Sequence, residues 1–181
     1  MRFEAVIVVA ALCSFSLANY DINLYKSANC KGKIGETCRG VAAGACCSRA
    51  SGKGSQQFSQ FSSANFREVG GGQSTDNLKM YSAMGGSACG LPTSQGTGCV
   101  SPNGKTNTGA AVFVVVEPGS AHSRRSLQPR HIEPDTFFYE DGATRHTIPI
   151  RSLEGEAFEM LESEEDQINF LKARGEKSPM N

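Results

Sequence analysis

Apolar and polar positions change rhythm several times along this chain. The stretch from Ala5 to Leu17 is almost wholly apolar, yet too short for a comfortable bilayer crossing. It follows the cation of Arg2 and ends in Ser16-Leu17-Ala18, which sets small residues at the two positions a signal peptidase reads. Residues 1–18 are therefore expected to be a signal peptide cut after Ala18. Period-two alternation begins next. Tyr20 to Tyr25 predicts a first strand; Gln57 to Phe61, Asn65 to Val69 and Leu78 to Tyr81 predict others. Ala111 to Val116 is apolar on both faces and predicts a central strand.

The later rhythm is different. Thr136 to Ile148 reads as a hairpin turning at Asp141-Gly142, which would set His146 opposite Phe137. Phe137, Phe138 and Tyr139 are too apolar for a free tail and should dock on the core. Leu153 to Arg174 reads as helix, in one or two pieces, with Phe158 and Leu161, then Ile168 and Leu171, three residues apart. Ser163-Glu-Glu-Asp166 has the form of a helix start and Gly175 that of a stop. Ser51 to Ser55 and Ser101 to Gly104 read as loop and turn. The fold class expected is α+β: a β-rich, disulfide-bonded core, sandwich or Greek-key-like, with a C-terminal hairpin and helix.

Charge divides the chain. Its 181 residues hold 18 Lys+Arg and 18 Asp+Glu, a balance that argues against a nucleic-acid binder. Residues 19–116 nevertheless carry a net charge of +5 and residues 117–181 a net charge of −5. The expected organisation is a signal peptide (1–18), a basic cysteine-rich β core (19–116), a linker (117–128) and an acidic hairpin-helix extension (129–181). In the linker region, Arg124-Arg125 is a candidate processing site. No second membrane segment follows, and no Asn-x-Ser/Thr sequon occurs.

Cysteine usage agrees with secretion. Of seven Cys, Cys13 would leave with the leader, and Cys30, Cys38, Cys46, Cys47, Cys89 and Cys99 remain. An even set in a secreted chain predicts structural disulfides. A Cys46–Cys47 bridge is excluded by strain. The stretch from Cys89 to Cys99 reads as a turn-rich loop whose ends could meet. If they pair, Cys30 and Cys38 must each take one of Cys46 and Cys47. Other connectivities stay open. The spacings are poor for zinc and lack a Cys-x-x-Cys redox motif.

Catalytic chemistry has little to build on. The core has no His, and its acids are Asp21, Glu36, Glu68 and Asp76. Glu36 and Asp76 are the candidate carboxylate pair for a hydrolase. His122, His131 and His146 accompany Glu133, Asp135, Glu140 and Asp141 in the extension, where a metal or acid–base site is conceivable and surface His is the plainer reading. The glycine clusters lack phosphate-loop spacing. No catalytic, cofactor or metal residue is assigned. The function expected is a secreted, non-enzymatic, monomeric protein binding an extracellular or host protein or polysaccharide through its basic β core. An unfamiliar hydrolase and a cell-wall structural component are the alternatives.

Two resemblances add to this. Tyr25-Lys-Ser-Ala-Asn-Cys-Lys-Gly32 resembles the folded-hairpin signature of βγ-crystallin Greek-key domains, in which the Gly packs under the aromatic ring. Asp76-Asn77 begins that family's calcium signature, but Met80 and Tyr81 stand where hydroxyls belong, so no calcium site is carried over. More broadly, the leader, Asn29-Cys30-Lys-Gly, Ala45-Cys46-Cys47-Ser48 and Thr108-Gly-Ala-Ala-Val-Phe113 resemble the small secreted cysteine-rich proteins of filamentous fungi, a class that includes effector candidates. That resemblance implies secretion and disulfides, and no particular target.

Overall fold

Alternation in β1 (Asn19–Tyr25) sends Tyr20, Ile22 and Leu24 to one face and Asp21, Asn23 and Tyr25 to the other. All six are buried. Both faces of this strand are therefore covered, and the fold follows from what covers each. The structure is a computed structural model that describes residues 18–31, 34–50, 58–102, 107–113 and 130–180. Residues 1–17, the loop at 51–55, Gly32 of the crystallin-like motif, the end of the Ser101–Gly104 turn, Val114 to Val116, His122, and Arg124-Arg125 with the rest of the 117–128 linker lie outside the described residues.

After β1 come β2 (Ile34–Ala42), β3 (Cys46–Cys47), β4 (Ser63–Gly70), β5 (Asn77–Met84), β6 (Ser87–Gly96) and β7 (Gly109–Phe113). The C-terminal part supplies β8 (His131–Ile132), β9 (Thr136–Asp141), β10 (Thr144–Pro149), helices α1 (Leu153–Glu159) and α2 (Glu164–Arg174), and β11 (Glu176–Pro179). One sheet has six strands in the order β11-β10-β9-β2-β1-β4, and a second has five in the order β6-β5-β7-β3-β8. The molecule is α+β with a sandwich-like β core, as the alternation suggested. The C-terminal hairpin does not sit on the core as a separate layer: β9 pairs with β2 and extends the first sheet.

The inner face of the six-stranded sheet is shared between two covers. Across β1 and β4, Tyr20, Ile22, Leu24 and Ala64 pack against Leu78, Met80, Ala110 and Val112 of the second sheet. Across β9 and β10, Phe137, Tyr139 and Ile148 pack instead against Phe158 of α1 and Leu171 of α2. Register shows that these are one face: Leu24 lies opposite Glu36, and Glu36 opposite Phe137. The seam between the two covers falls on β2.

Several expectations needed correction. Of the expected Gln57–Phe61 strand, Gln57 lies outside the described residues, and Phe58 and Phe61 form isolated bridges to Ala50 and Asn107 in place of a strand. The Cys89–Cys99 stretch is mostly the extended strand β6, at a sheet edge where Pro92 can sit without breaking an interior ladder. The hairpin turns at Gly142-Ala143, and Asp141 pairs with Thr144. Gly142, at φ 61°, takes the first turn position. His146 consequently faces Tyr139, and Ile148 faces Phe137. The expected register would have set Ile148 opposite Asp135; the observed one pairs it with Phe137, and both are buried. The helices break at Met160, and the Ser152 and Ser163 hydroxyls accept from Gly155 N and Asp166 N as N-caps.

Gly35 shows how tightly the outer face is built. A Cβ there would lie 2.3 Å from Phe138 Cζ. Without one, Phe138 lies over the strand and meets the Tyr25 ring edge-on at 5.2 Å between centroids. Gly35→Ala is expected to destabilise the protein by about 1–3 kcal/mol, the usual cost of overpacking. A lowered denaturant midpoint at unchanged slope would show it, and an unchanged midpoint would contradict it.

Candidate functional site

The six cysteines form three bridges: Cys30–Cys99, Cys38–Cys47 and Cys46–Cys89. Neighbours in a strand point to opposite faces. Cys47 therefore enters the core between the sheets and reaches Cys38 of β2, and Cys46 turns to the far face of the second sheet and reaches Cys89 of β6. The expected exclusion of Cys46–Cys47 agrees with this arrangement. A Cys89–Cys99 bridge does not form, because an extended β6 carries those residues apart. The Cys46–Cys89 bridge crosses Gly109, where a Cβ would lie 2.8 Å from Cys89 Sγ.

On the outer face of the six-stranded sheet, alternation collects polar groups. Asp21, Asn23 and Tyr25 of β1 are flanked by Asn65 and Arg67 of β4 and by Glu140 and Arg145 of the β9–β10 hairpin, around a cleft of about 370 Å³. Arg67 donates to Asp21 Oδ2 (2.8 Å), whose Oδ1 accepts from Gly40 N (3.0 Å). Thr37 Oγ1 and Arg145 both donate to Asn23 Oδ1. Asn23 donates to Asn65, and Asn65 to the Tyr25 hydroxyl, at 2.8 and 3.2 Å. Arg145 also holds Glu140 at 2.5 Å and lies 4.1 Å from the Phe138 ring centroid. Burial, with the Glu140 charge beside it, pushes the Tyr25 phenol up to about 12. This row is a preorganised set of donors and acceptors on a sheet. Most of Arg67 is exposed.

A second cleft, of about 340 Å³, opens at the seam. Glu36 lies on its wall, only 4% exposed. Arg49, just after the Cys46-Cys47 strand, donates to Glu36 Oε1 at 3.0 Å and to Glu159 at the end of α1. Its guanidinium carbon lies 4.9 Å from the Phe137 ring centroid. Glu36 Oε2 has no hydrogen-bond partner among the described residues. Burial raises the Glu36 carboxyl above its usual range, against the pull of Arg49.

The remaining candidates are dispersed. Asp76 accepts from Tyr20 OH at 2.5 Å, four positions along β1 from the Leu24–Glu36 pair, so the candidate Glu36–Asp76 pair of the alternative hydrolase reading is not assembled. His131 Nε2 lies 3.1 Å from Ser48 O. His146, on β10, is buried and not at the surface as the plainer reading expected. Glu133, Asp135, Glu140 and Asp141 bind Arg151, Arg39, Arg145 and Lys172. Among the described residues, no group of three His, Cys, Asp or Glu could hold a metal ion. The sequence reading missed Arg49, Arg67, Arg145 and Glu159. The alternation of β1 was the one available signal, since it places Asp21, Asn23 and Tyr25 together.

Residues 21–136 match the ARB_05566_N family, described as an N-terminal domain. The chain belongs to this family. The match is consistent with a fungal protein family. It takes in Glu36, Arg49 and Arg67 of the ARB_05566_N domain and ends at the first residue of β9, so Glu140, Arg145 and Glu159 lie beyond it. No curated protein and no solved structure matches the chain. Three disulfides, with no described helix long and apolar enough to cross a membrane, are compatible with a secreted protein.

A carboxyl raised by folding binds its proton more tightly in the native state. Its stabilising share is complete below the unfolded value, near 4.5, and is lost as pH rises through the folded value. Thermal unfolding above pH 4.5 should therefore show the parent losing stability with rising pH more steeply than Glu36→Gln. Parallel curves would contradict the burial argument.

Proposed function

We propose that this protein is a secreted, non-enzymatic binding protein that recognises an extracellular or host protein or polysaccharide through its β core. The observation that carries the reading is the hydrogen-bonded row from Asn65 through Asn23 and Arg145 to Glu140, with the Arg67–Asp21 ion pair beside it, set around an open cleft on a cross-linked sheet. Groups already ordered by one another lose little freedom on binding. Charge contributes less than composition suggests. Arg39, Arg49 and Arg67 are each held by a carboxylate, and Asp135 and Glu159 of the acidic extension supply two of the partners. Recognition by placed donors and acceptors fits this surface better than attraction to a broad basic face.

The secreted, effector-candidate reading rests on the apolar leader and the paired cysteines. Intact mass of secreted material, with and without reductant, tests it: the expected product begins at Asn19 and exposes six thiols only after reduction. For binding, the full mature chain and Arg67→Ala are immobilised and exposed to wall polysaccharides and extracellular proteins. Arg67→Ala is expected to lose tenfold or more of the retention, corresponding to about 1.4 kcal/mol. Equal retention by parent and variant would remove the outer cleft from the account.

A further inference from the structure

Glu36 is a buried ionisable group that the outer cleft does not use. Its position explains its burial: it stands on β2 where the second sheet ends and the helices begin, between Leu24 and Phe137. One carboxylate oxygen is taken by Arg49, and the other has no partner among the described residues. A buried carboxylate oxygen without a donor is costly, and this one belongs to a side chain on the wall of a cleft sized for a small molecule.

The surroundings specify what would complete it. Lys26 and Arg49 balance Glu36 and Glu159 around the cleft, so a charged ligand meets no net attraction. Ser59, Gln60 and Gln167 offer a hydroxyl and two amides, which can both donate and accept. Phe61 and Phe158 add apolar wall. A ligand suited to this set is uncharged, carries several hydroxyl groups and presents a C–H face. We infer that the seam cleft is a binding site for a neutral saccharide unit, with one sugar hydroxyl donating to Glu36 Oε2 and others meeting Ser59, Gln60 and Gln167. This site lies on the opposite face of the sheet from the outer cleft and shares no lining residue with it.

The test uses the full mature chain with neutral gluco-, xylo-, manno- and N-acetylglucosamine oligosaccharides, and oligomers of glucosamine and galacturonic acid as cationic and anionic controls. Amide NMR shifts and thermal unfolding are followed up to about 10 mM, well into the range of weak binding. At least one neutral series is expected to shift the amides of Ser59, Gln60 and Gln167 saturably and to raise the unfolding temperature. Glu36→Gln should weaken it tenfold or more. Gln60→Trp, at an exposed cleft-wall position, should block it without disturbing the core. Arg151→Ala, exposed and outside the lining of both clefts, should bind as the parent does. The proposal fails if no neutral series shifts these amides, if only a charged control does, if binding survives Gln60→Trp, or if Arg151→Ala abolishes it.

Discussion

The structure depends on two adjacent cysteines pointing opposite ways. β3 is two residues long, too short for its ladder bonds to hold it alone. Yet β7 pairs with one side of it and β8 with the other, so β8 joins the second sheet through this dipeptide. Cys47 ties it through the core to β2 of the first sheet, and Cys46 ties it along its own sheet to β6. Each closure removes unfolded-state freedom worth about 2–4 kcal/mol. Together they fix the spacing of the two layers at one point. Arg49 follows two residues later, and the seam inherits its geometry from that anchorage.

The second consequence concerns how one sheet face is divided. The five-stranded sheet covers the β4–β1 part, and α1 and α2 cover the β9–β10 part. Where two covers meet, neither packs fully, and a polar side chain can remain on an otherwise apolar face. Glu36 occupies that position, with the nearest cation coming from one cover and a second carboxylate from the other. The net charges of the two parts of the chain take on local meaning here. Acids of the C-terminal part close onto arginines of the cysteine-rich part as ion pairs, while β9 continues the sheet edge that β2 would otherwise expose.

Much of this could be read from residues alone, for physical reasons that differ by element. β1, β4, β5 and β7 alternate or are apolar throughout, so burial imprints their period on the sequence. β2 does not: Gly35, Glu36, Arg39 and Gly40 break its pattern, because Gly35 yields space to Phe138 and Glu36 sits at the seam. β6 hides behind Gly, Pro and Ser, which a sheet edge tolerates and an interior strand does not. The hairpin was visible, but its register was decided by the pairing of Phe137 with Ile148, which turn chemistry does not encode. The cysteine pairing needed the knowledge that residues 46 and 47 lie in a strand. The seam was least accessible of all, since Arg49 and Glu159 stand 110 positions apart.

The two clefts are coupled by construction. Asn23 and Leu24 are consecutive residues of β1, and Glu36 and Thr37 are consecutive residues of β2. Asn23 and Thr37 face the outer row; Leu24 and Glu36 face the seam. Any movement of the β1–β2 backbone that adjusts one cleft must displace the other, and the Cys38–Cys47 bridge restrains this ladder within the sheet pair. The same stiffness that makes the outer row a preorganised surface therefore keeps Glu36 from withdrawing into solvent to find donors. Its unpartnered oxygen is held in place by the architecture that also supplies the arginine, the amides and the apolar walls around it.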